Sequence, residues 1–245
     1  MKKKSVFSAS AVVAGNGIGS GVMAIPYFIS KTGIVGGSIA FLSAYLISVL
    51  LHLMIAQILL NTGDTADILS AFHIYLFRGK LKNFLRIAFF IIMVVVLETN
   101  LAAYISGAAE IMGEIIPGIS AAVFAAGFYI LAAVTVLLGL HAICISEEVT
   151  VSVMGAILLM AAFISLRSIN LTACRSFLMI RGIPEVSGVV AAYSMIMFSF
   201  SAIFAMPQVI GILGPDGKEI RKSVFYGLFM NLVISVTVTA CAIIT

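Results

Sequence analysis

The 245-residue chain has few charged residues and no tryptophan. Charged residues make up 10% of it and hydrophobic residues 62%, with a mean hydropathy of +1.21. Such a balance excludes a water-soluble globular domain. Cysteine is also scarce. Cys144, Cys174 and Cys241 have no paired spacing, which argues against a disulfide framework or a cysteine metal site.

Enzyme motifs are missing as well. The sequence contains no His-Glu-x-x-His pair, no Gly-x-Ser-x-Gly elbow and no dense pair of carboxylates inside an apolar segment. We therefore predict neither catalytic residues nor a metal or cofactor. The net charge of +4 does not indicate a nucleic-acid partner, because the basic residues lie where membrane topology places them.

Seven apolar segments are long enough to cross a hydrocarbon core of ~30 Å as helices that rise ~1.5 Å per residue. They cover residues 5–30, 32–60, 87–113, 115–140, 149–166, 186–213 and 223–245. The predicted fold class is an all-α polytopic membrane protein with about seven transmembrane helices, surrounded by the lipid bilayer. Residues 1–245 are predicted to form a single membrane domain.

Basic residues predict the orientation of these segments, because cytoplasmic loops carry an excess of Lys and Arg. With the N-terminus inside, ten basic residues are cytoplasmic and four lie outside. The cytoplasmic set is Lys2, Lys3, Lys4, Arg78, Lys80, Lys82, Arg86, Lys218, Arg221 and Lys222, and the outside set is Lys31, Arg167, Arg175 and Arg181. We predict a multi-pass protein of the plasma or inner membrane with a cytoplasmic N-terminus. Residues 61–86, opened by a turn and N-cap at 61–64, predict an amphipathic interfacial helix.

A glycine-rich stretch interrupts the first apolar segment. It consists of Gly15, Asn16, Gly17, Ile18, Gly19, Ser20 and Gly21. Each glycine destabilises a helix by roughly 1 kcal/mol relative to alanine, and unwound backbone at membrane depth persists only beside protein or water. We predict that the freed N–H groups bind an anionic carboxylate. The stretch is not a dinucleotide fingerprint, because Ser20 stands where the third glycine is required.

The sixth segment has a second interruption. Phe198, Ser199, Phe200, Ser201 and Ala202 precede Pro207, which removes a backbone donor. An ordinary proline kink is the alternative. Because the two interrupted segments lie five helices apart, the pattern favours a five-plus-five inverted-repeat transporter with discontinuous helices 1 and 6. Residues 1–185 would form the first repeat and 186–245 the start of a second, incomplete one.

The two interruptions together predict a substrate site. Residues 199–202 are expected to face residues 15–21 across a shared cavity near the middle of the membrane. Unwound carbonyls and hydroxyls would bind an amino group there, and Phe200 would shape the side-chain pocket.

Several segments resemble a known family. Residues 17–26, Gly-Ile-Gly-Ser-Gly-Val-Met-Ala-Ile-Pro, resemble the first-helix signature of the amino acid–polyamine–organocation superfamily. Residues 103–107, which include Tyr104, are similar to its aromatic and hydroxy amino acid permeases, the tyrosine and tryptophan carriers. Residues 198–207, with Gly214 and 218–222 after them, resemble the sixth helix and its cytoplasmic loop.

The resemblance implies secondary active uptake of a neutral or aromatic amino acid, coupled to a proton or a sodium ion. The carboxylate and amino group of the substrate would be held at the two breaks, with Tyr104 in the site. The resemblance extends over the first repeat plus two helices and lacks helix eight, which completes a cation site in sodium-coupled relatives. We therefore expect the 245-residue chain to need a longer reading frame, a second chain or self-association before it transports. Two alternatives stay open: a truncated, non-transporting membrane fragment or scaffold, and a seven-helix receptor with the opposite orientation.

Polar residues inside the apolar segments are the remaining functional candidates. Glu98 lies near the middle of the third segment, where a charge costs about 2.5–3.5 kcal/mol. We expect it to face the bundle interior or water and to be either a proton carrier or a structural hydrogen-bonding group. His52 and Gln57 are expected to form interhelical hydrogen bonds, with a proton relay as the alternative for His52. Glu110, Glu114, His141, Glu147 and Glu148 lie near segment ends and are expected to be solvated.

Overall fold

A computed structural model describes residues 5–18, 20–63, 67–77, 79–167, 169 and 185–244, and within these ranges the secondary structure is helical. The α-helices are α1 (Val6–Gly17), α2 (Ser20–Thr62), α3 (Ile68–Tyr75), α4 (Lys82–Ile115), α5 (Ala121–Leu137), α6 (Leu140–Arg167), α7 (Val186–Ser199), α8 (Met206–Leu213) and α9 (Gly217–Ile244). A short 3₁₀ helix, Ile203–Ala205, connects α7 to α8.

Five helical stretches are long and apolar enough to cross a membrane. They are Gly21–Thr62, Lys82–Ile115, Leu140–Ser165, Val186–Leu213 and Gly217–Ile244, and α1 and α5 are shorter apolar helices. The predicted fold class, an all-α, multi-pass membrane protein, is therefore confirmed. Several predicted boundaries differ. The helix expected over 149–166 already begins at Leu140 and contains Glu147 and Glu148. The helix expected over 115–140 covers Ala121–Leu137, and the one expected from residue 223 begins at Gly217.

The chain divides into two compact units. The first unit comprises the described parts of residues 1–57 and 147–245. Its centre is α1, where Ala9, Val12 and Val13 have no exposed surface, and α1 packs against α9 and α8. Gly227 permits the closest approach of α9, since a side chain there would meet Val13 and the Ser10 carbonyl. A charge-free helix with small side chains is suited to this central position.

The second unit comprises the described parts of residues 58–146. Within it α3 packs on α4 through stacked rings of Phe72 and Phe89, whose centroids lie 4.5 Å apart, and α4 packs on α5. The interfacial helix predicted over 61–86 is shorter than expected. It begins after Asp67, whose Oδ1 accepts a hydrogen bond from the Ser70 N–H at 2.7 Å. Asp64, the expected N-cap, lies outside the described residues.

A glycine with unusual backbone geometry separates α2 into two straight parts. Gly33 has φ 68° and ψ −179°, and the residues on both sides are helical. Only glycine adopts this conformation without strain, because a Cβ atom would collide with the backbone.

Gly33→Ala should lower stability by about 1–3 kcal/mol, because alanine is strained at this φ and ψ. The measurement is thermal or denaturant unfolding of the purified protein in detergent. Gly127→Ala is the matched control, since a methyl group there meets no atom within 4 Å and the residue is helical. Equal stability of the two variants would contradict the backbone geometry at Gly33.

Candidate functional site

The glycine-rich stretch ends the first helix. Helix α1 stops at Gly17, and Ile18 is extended with φ −76° and ψ 107°. The Ile18 N–H closes the last turn by donating to the Ala14 carbonyl at 3.0 Å, and α2 begins at Ser20. Gly19 lies outside the described residues. The start of α2 has free backbone N–H groups and the positive end of its helix dipole, which favour an anion.

The sixth predicted segment is interrupted as well. Helix α7 ends at Ser199, and Phe200 and Ala202 leave the helical conformation before the 3₁₀ turn begins. Pro207 lies in the first turn of α8, where its missing N–H removes no intrahelical hydrogen bond. The break therefore precedes the proline by several residues, so the alternative of an ordinary proline kink does not describe this geometry.

Polar side chains from two other helices satisfy the backbone of this second break. His52 on α2 accepts a hydrogen bond at Nε2 from the Ala202 N–H at 3.0 Å, and its Nδ1 lies 2.7 Å from the Ser48 carbonyl. Since Nε2 accepts, Nδ1 carries the proton and donates to that carbonyl. Ser48 Oγ donates to the Phe200 carbonyl at 3.2 Å.

Asn231 on α9 completes this arrangement. Its Nδ2 donates to the Ser199 carbonyl at 2.8 Å, and the residue has no exposed surface. Unwound backbone inside a membrane requires such internal partners, because hydrocarbon offers none. We call Ser48, His52 and Asn231 the backbone clamp.

The two interruptions pack directly on each other within the first unit. A side chain at Gly17 would lie 2.6 Å from the Ser199 carbonyl and would also meet the Asn231 amide. One at Gly21 would lie 2.9 Å from Phe198 Cδ1 and 3.4 Å from Ser199. Glycine at these positions thus allows close contact between the helices. The cavity expected between residues 15–21 and 199–202 stays a prediction, and Gly21 and Phe198 both line an open groove at this contact.

The remaining predicted residues differ in exposure. Phe200 and Ala202 are fully buried, so Phe200 has no surface for shaping a pocket, whereas Phe198 is 47% exposed. Phe198 borders an open groove of about 640 Å³, together with Gly21, Ala24, Phe28 and Met195. Of the two phenylalanines predicted at this break, the one available to a ligand is therefore Phe198.

Ser199 differs from its neighbours in the site. Its side chain is 1% exposed, and Oγ has no hydrogen-bond partner among the described residues. A buried hydroxyl normally has a partner. The orphaned Oγ therefore offers one unused donor and acceptor beside Gly21. Asn16 and Ser201 are exposed, Gly15 and Ile18 are half-buried, and the side chain of Ser20 lies outside the description.

Tyr104 and Glu98 belong to α4 in the second unit. Tyr104 is 41% exposed, and Glu98 is exposed as well. The packing of Glu98 inside a bundle, which we expected from its central position, is therefore not seen within its unit.

Sequence reasoning missed three positions that contact the interruptions in the first unit. Ser48 and Asn231 were not singled out, and Glu147 was expected to be solvated but packs on Gly15. The four-residue spacing of Ser48 and His52 was a usable signal, because it places both side chains on one helix face. For His52, a hydrogen bond to another part of the chain was correctly expected.

Five helical stretches that are long and apolar enough to cross a bilayer define a multi-pass membrane protein. Residues 2–243 match the tryptophan/tyrosine permease family, and the chain belongs to that family. It is thus an amino acid transporter and not an enzyme. The resemblance to aromatic amino acid permeases, drawn from short segments, is confirmed over nearly the whole chain. No curated protein and no solved structure matches the chain.

Proposed function

We propose that the protein is a secondary active carrier of an aromatic amino acid, tryptophan or tyrosine, coupled to a cation. The observation that carries this proposal is the pair of interrupted helices, packed on each other at Gly17, Gly21 and Ser199. Interrupted helices in transporters offer helix N-termini to anionic groups and unwound backbone to cationic ones. Free N–H groups at the start of α2 are suited to the substrate carboxylate.

The side chain of the substrate would occupy the groove beside Phe198. Its rim of Ala24, Phe28, Met195 and Phe198 is apolar, and two of these side chains are rings. Aromatic pairs gain about 0.5–1.5 kcal/mol beyond the burial of their area. The groove therefore favours a large ring over a short aliphatic side chain.

We further propose an inverted repeat, with α7 as the first helix of its second copy, and a cytoplasmic N-terminus. The two interrupted segments lie five predicted helices apart, and an odd number of helices per repeat gives the second copy the opposite orientation. The basic residues near the start of α4 and of α9 support the orientation. In a variant whose three native cysteines are replaced by serine, a cysteine introduced at Lys80 should react with a membrane-impermeant maleimide only after permeabilisation of cells.

Ser199→Ala tests the proposed substrate site. Removing a buried hydroxyl that lacks a partner should leave stability unchanged or raise it, because no hydrogen bond is lost. Loss of one hydrogen bond to the substrate should weaken tryptophan binding about tenfold, which corresponds to ~1.4 kcal/mol. Binding is measured with radiolabelled tryptophan on purified protein, and stability by thermal unfolding.

Ser187→Ala, at an exposed position on the same helix, is the matched control and should change neither quantity. Competition by tyrosine, phenylalanine, alanine and lysine defines the substrate class. Equal competition by alanine and by tyrosine would contradict an aromatic substrate. Unchanged tryptophan affinity in Ser199→Ala would show that this hydroxyl does not contact the substrate.

A further inference from the structure

The Glu147 carboxylate lies at the first helix interruption. On α6 it packs directly against Gly15, so closely that a side chain at position 15 would collide with Oε2 and Cδ of the carboxyl group. Gly15 belongs to the last turn of α1, three residues before the extended Ile18. Both residues belong to the first unit.

The packing of α6 on α1 fixes this contact. Val151, one helical turn beyond Glu147, is buried against Ala11 and Ala14, and Met230 of α9 packs on the same cluster. The four-residue spacing places Glu147 and Val151 on one face of α6. The two helices run in opposite directions at this contact. Val151 packs on Ala11, and Glu147, one turn earlier on α6, lies beside Gly15, one turn later on α1. The carboxylate is thus held at the break by the helix interface.

Among the described residues that pack around the Glu147–Gly15 contact, none carries a positive charge. Helix α1 contains no titratable residue, and the nearest described residue of α9 in this cluster is Met230. The adjacent titratable group on α6 itself is Glu148, which is acidic. Among the described residues no ion pair or hydrogen bond involves the Glu147 carboxylate. The C-terminal end of α1, with its negative dipole end, disfavours an anion at this point.

We propose that Glu147 takes up the coupling proton of transport beside the helix-1 interruption, an inference that rests on the carrier function proposed above. A half-buried carboxylate without a basic partner, next to a helix C-terminus, is stable at membrane depth only when a cation neutralises it. One carboxylate oxygen accepts the proton when the site is open to the side of higher proton activity. The O–H bond breaks again on the opposite side, and no bond of the amino acid changes.

This assignment differs from the role expected for Glu98. Glu98 is exposed in the second unit. Glu147 contacts α1, the helix that ends at the first interruption, and the start of α2 on the other side of that interruption is proposed to bind the substrate carboxylate. A proton on the Glu147 carboxylate, beside Gly15, can therefore influence the conformation of the first interruption through the backbone of α1. Such a link between two ligands on one structural element is what coupled transport requires.

The experiment compares two activities of one protein in liposomes. Exchange of labelled for unlabelled tryptophan at equal pH on both sides requires no net proton movement. Accumulation driven by a pH difference does require it, and one coupled proton sustains about a tenfold tryptophan gradient per pH unit. Glu147→Gln should exchange tryptophan normally and lose pH-driven accumulation, so that the inside-to-outside ratio falls from about ten to about one. Glu148→Gln is the matched control and should accumulate like the wild type.

Two further variants keep the test valid if Glu147→Gln does not fold. Glu147→Asp retains an acid and should retain accumulation, with a shifted pH profile of exchange. Gly15→Ala displaces the carboxylate and should shift the same profile, which a purely structural contact would not do.

The outcomes separate the inference from the proposed function. A wild type that exchanges no aromatic amino acid overturns the carrier function. A wild type that exchanges and accumulates, with equal accumulation by Glu147→Gln, overturns the role of Glu147 alone. Loss of accumulation in Glu98→Gln but not in Glu147→Gln would assign the proton to Glu98. Accumulation driven by a sodium gradient at equal pH would replace the proton by sodium.

Discussion

Replacing Asn231 with leucine should destabilise the protein and disorder the second helix break. The amide is fully buried and donates to the Ser199 carbonyl at 2.8 Å. Leucine has the same branched arrangement of side-chain heavy atoms but no donor, so the carbonyl would be left without a partner at a cost of about 1–3 kcal/mol. For a chain of this size, each kcal/mol lowers the melting temperature by roughly 2–4 °C.

Thr237→Val is the control for this variant. Thr237 lies on the same helix, is half-buried, and its hydroxyl donates to the Val233 carbonyl one turn before it. Its replacement also exchanges a polar group for an apolar one, yet no backbone carbonyl of another helix loses its partner. Equal melting temperatures for Asn231→Leu and Thr237→Val would show that Asn231 contributes nothing to the backbone clamp.

Gly17→Ala should abolish substrate binding and reduce stability together. The added methyl group would lie 2.6 Å from the Ser199 carbonyl, which belongs to backbone and cannot rotate away. Overpacking of this kind costs about 1–3 kcal/mol, more than the roughly 1 kcal/mol that alanine gains in helix propensity. Helix α1 must then move away from α7, which separates the two interruptions.

Gly155→Ala provides the matched comparison. Gly155 lies within α6, and a methyl group there meets no atom within 4 Å. Its replacement should retain tryptophan binding and raise the melting temperature slightly through helix propensity. Tryptophan binding by Gly17→Ala at wild-type affinity would contradict the close contact of the interrupted helices.

The sequence predicted the membrane class and the family, because both depend on composition and on local motifs. Apolar runs of sufficient length identify spanning helices without tertiary information. Residues 15–21 likewise revealed the end of α1, since four glycines in seven positions disfavour a helix wherever they occur.

Partners across the fold were beyond reach of the sequence. The bond from His52 to Ala202 joins residues 150 positions apart, and no local pattern indicates such a pair. The location of Phe200 was also misjudged, because alternation of Phe and Ser does not reveal which ring is turned inward. Glu147 was placed in a loop because two adjacent glutamates usually mark a solvated segment end. Its contact with Gly15 depends on how α6 packs on α1.

The backbone clamp also has a consequence for biogenesis. Ser48 and His52 belong to a helix that is synthesised before α7, but Asn231 belongs to a helix that follows it. When α7 first enters the bilayer, its Ser199 carbonyl has no amide to accept from, and unwound backbone would be costly there. The partners of Phe200 and Ala202 are already present at that point, but the Ser199 carbonyl gains its partner only with α9. We therefore expect the break to be completed as a late step of assembly.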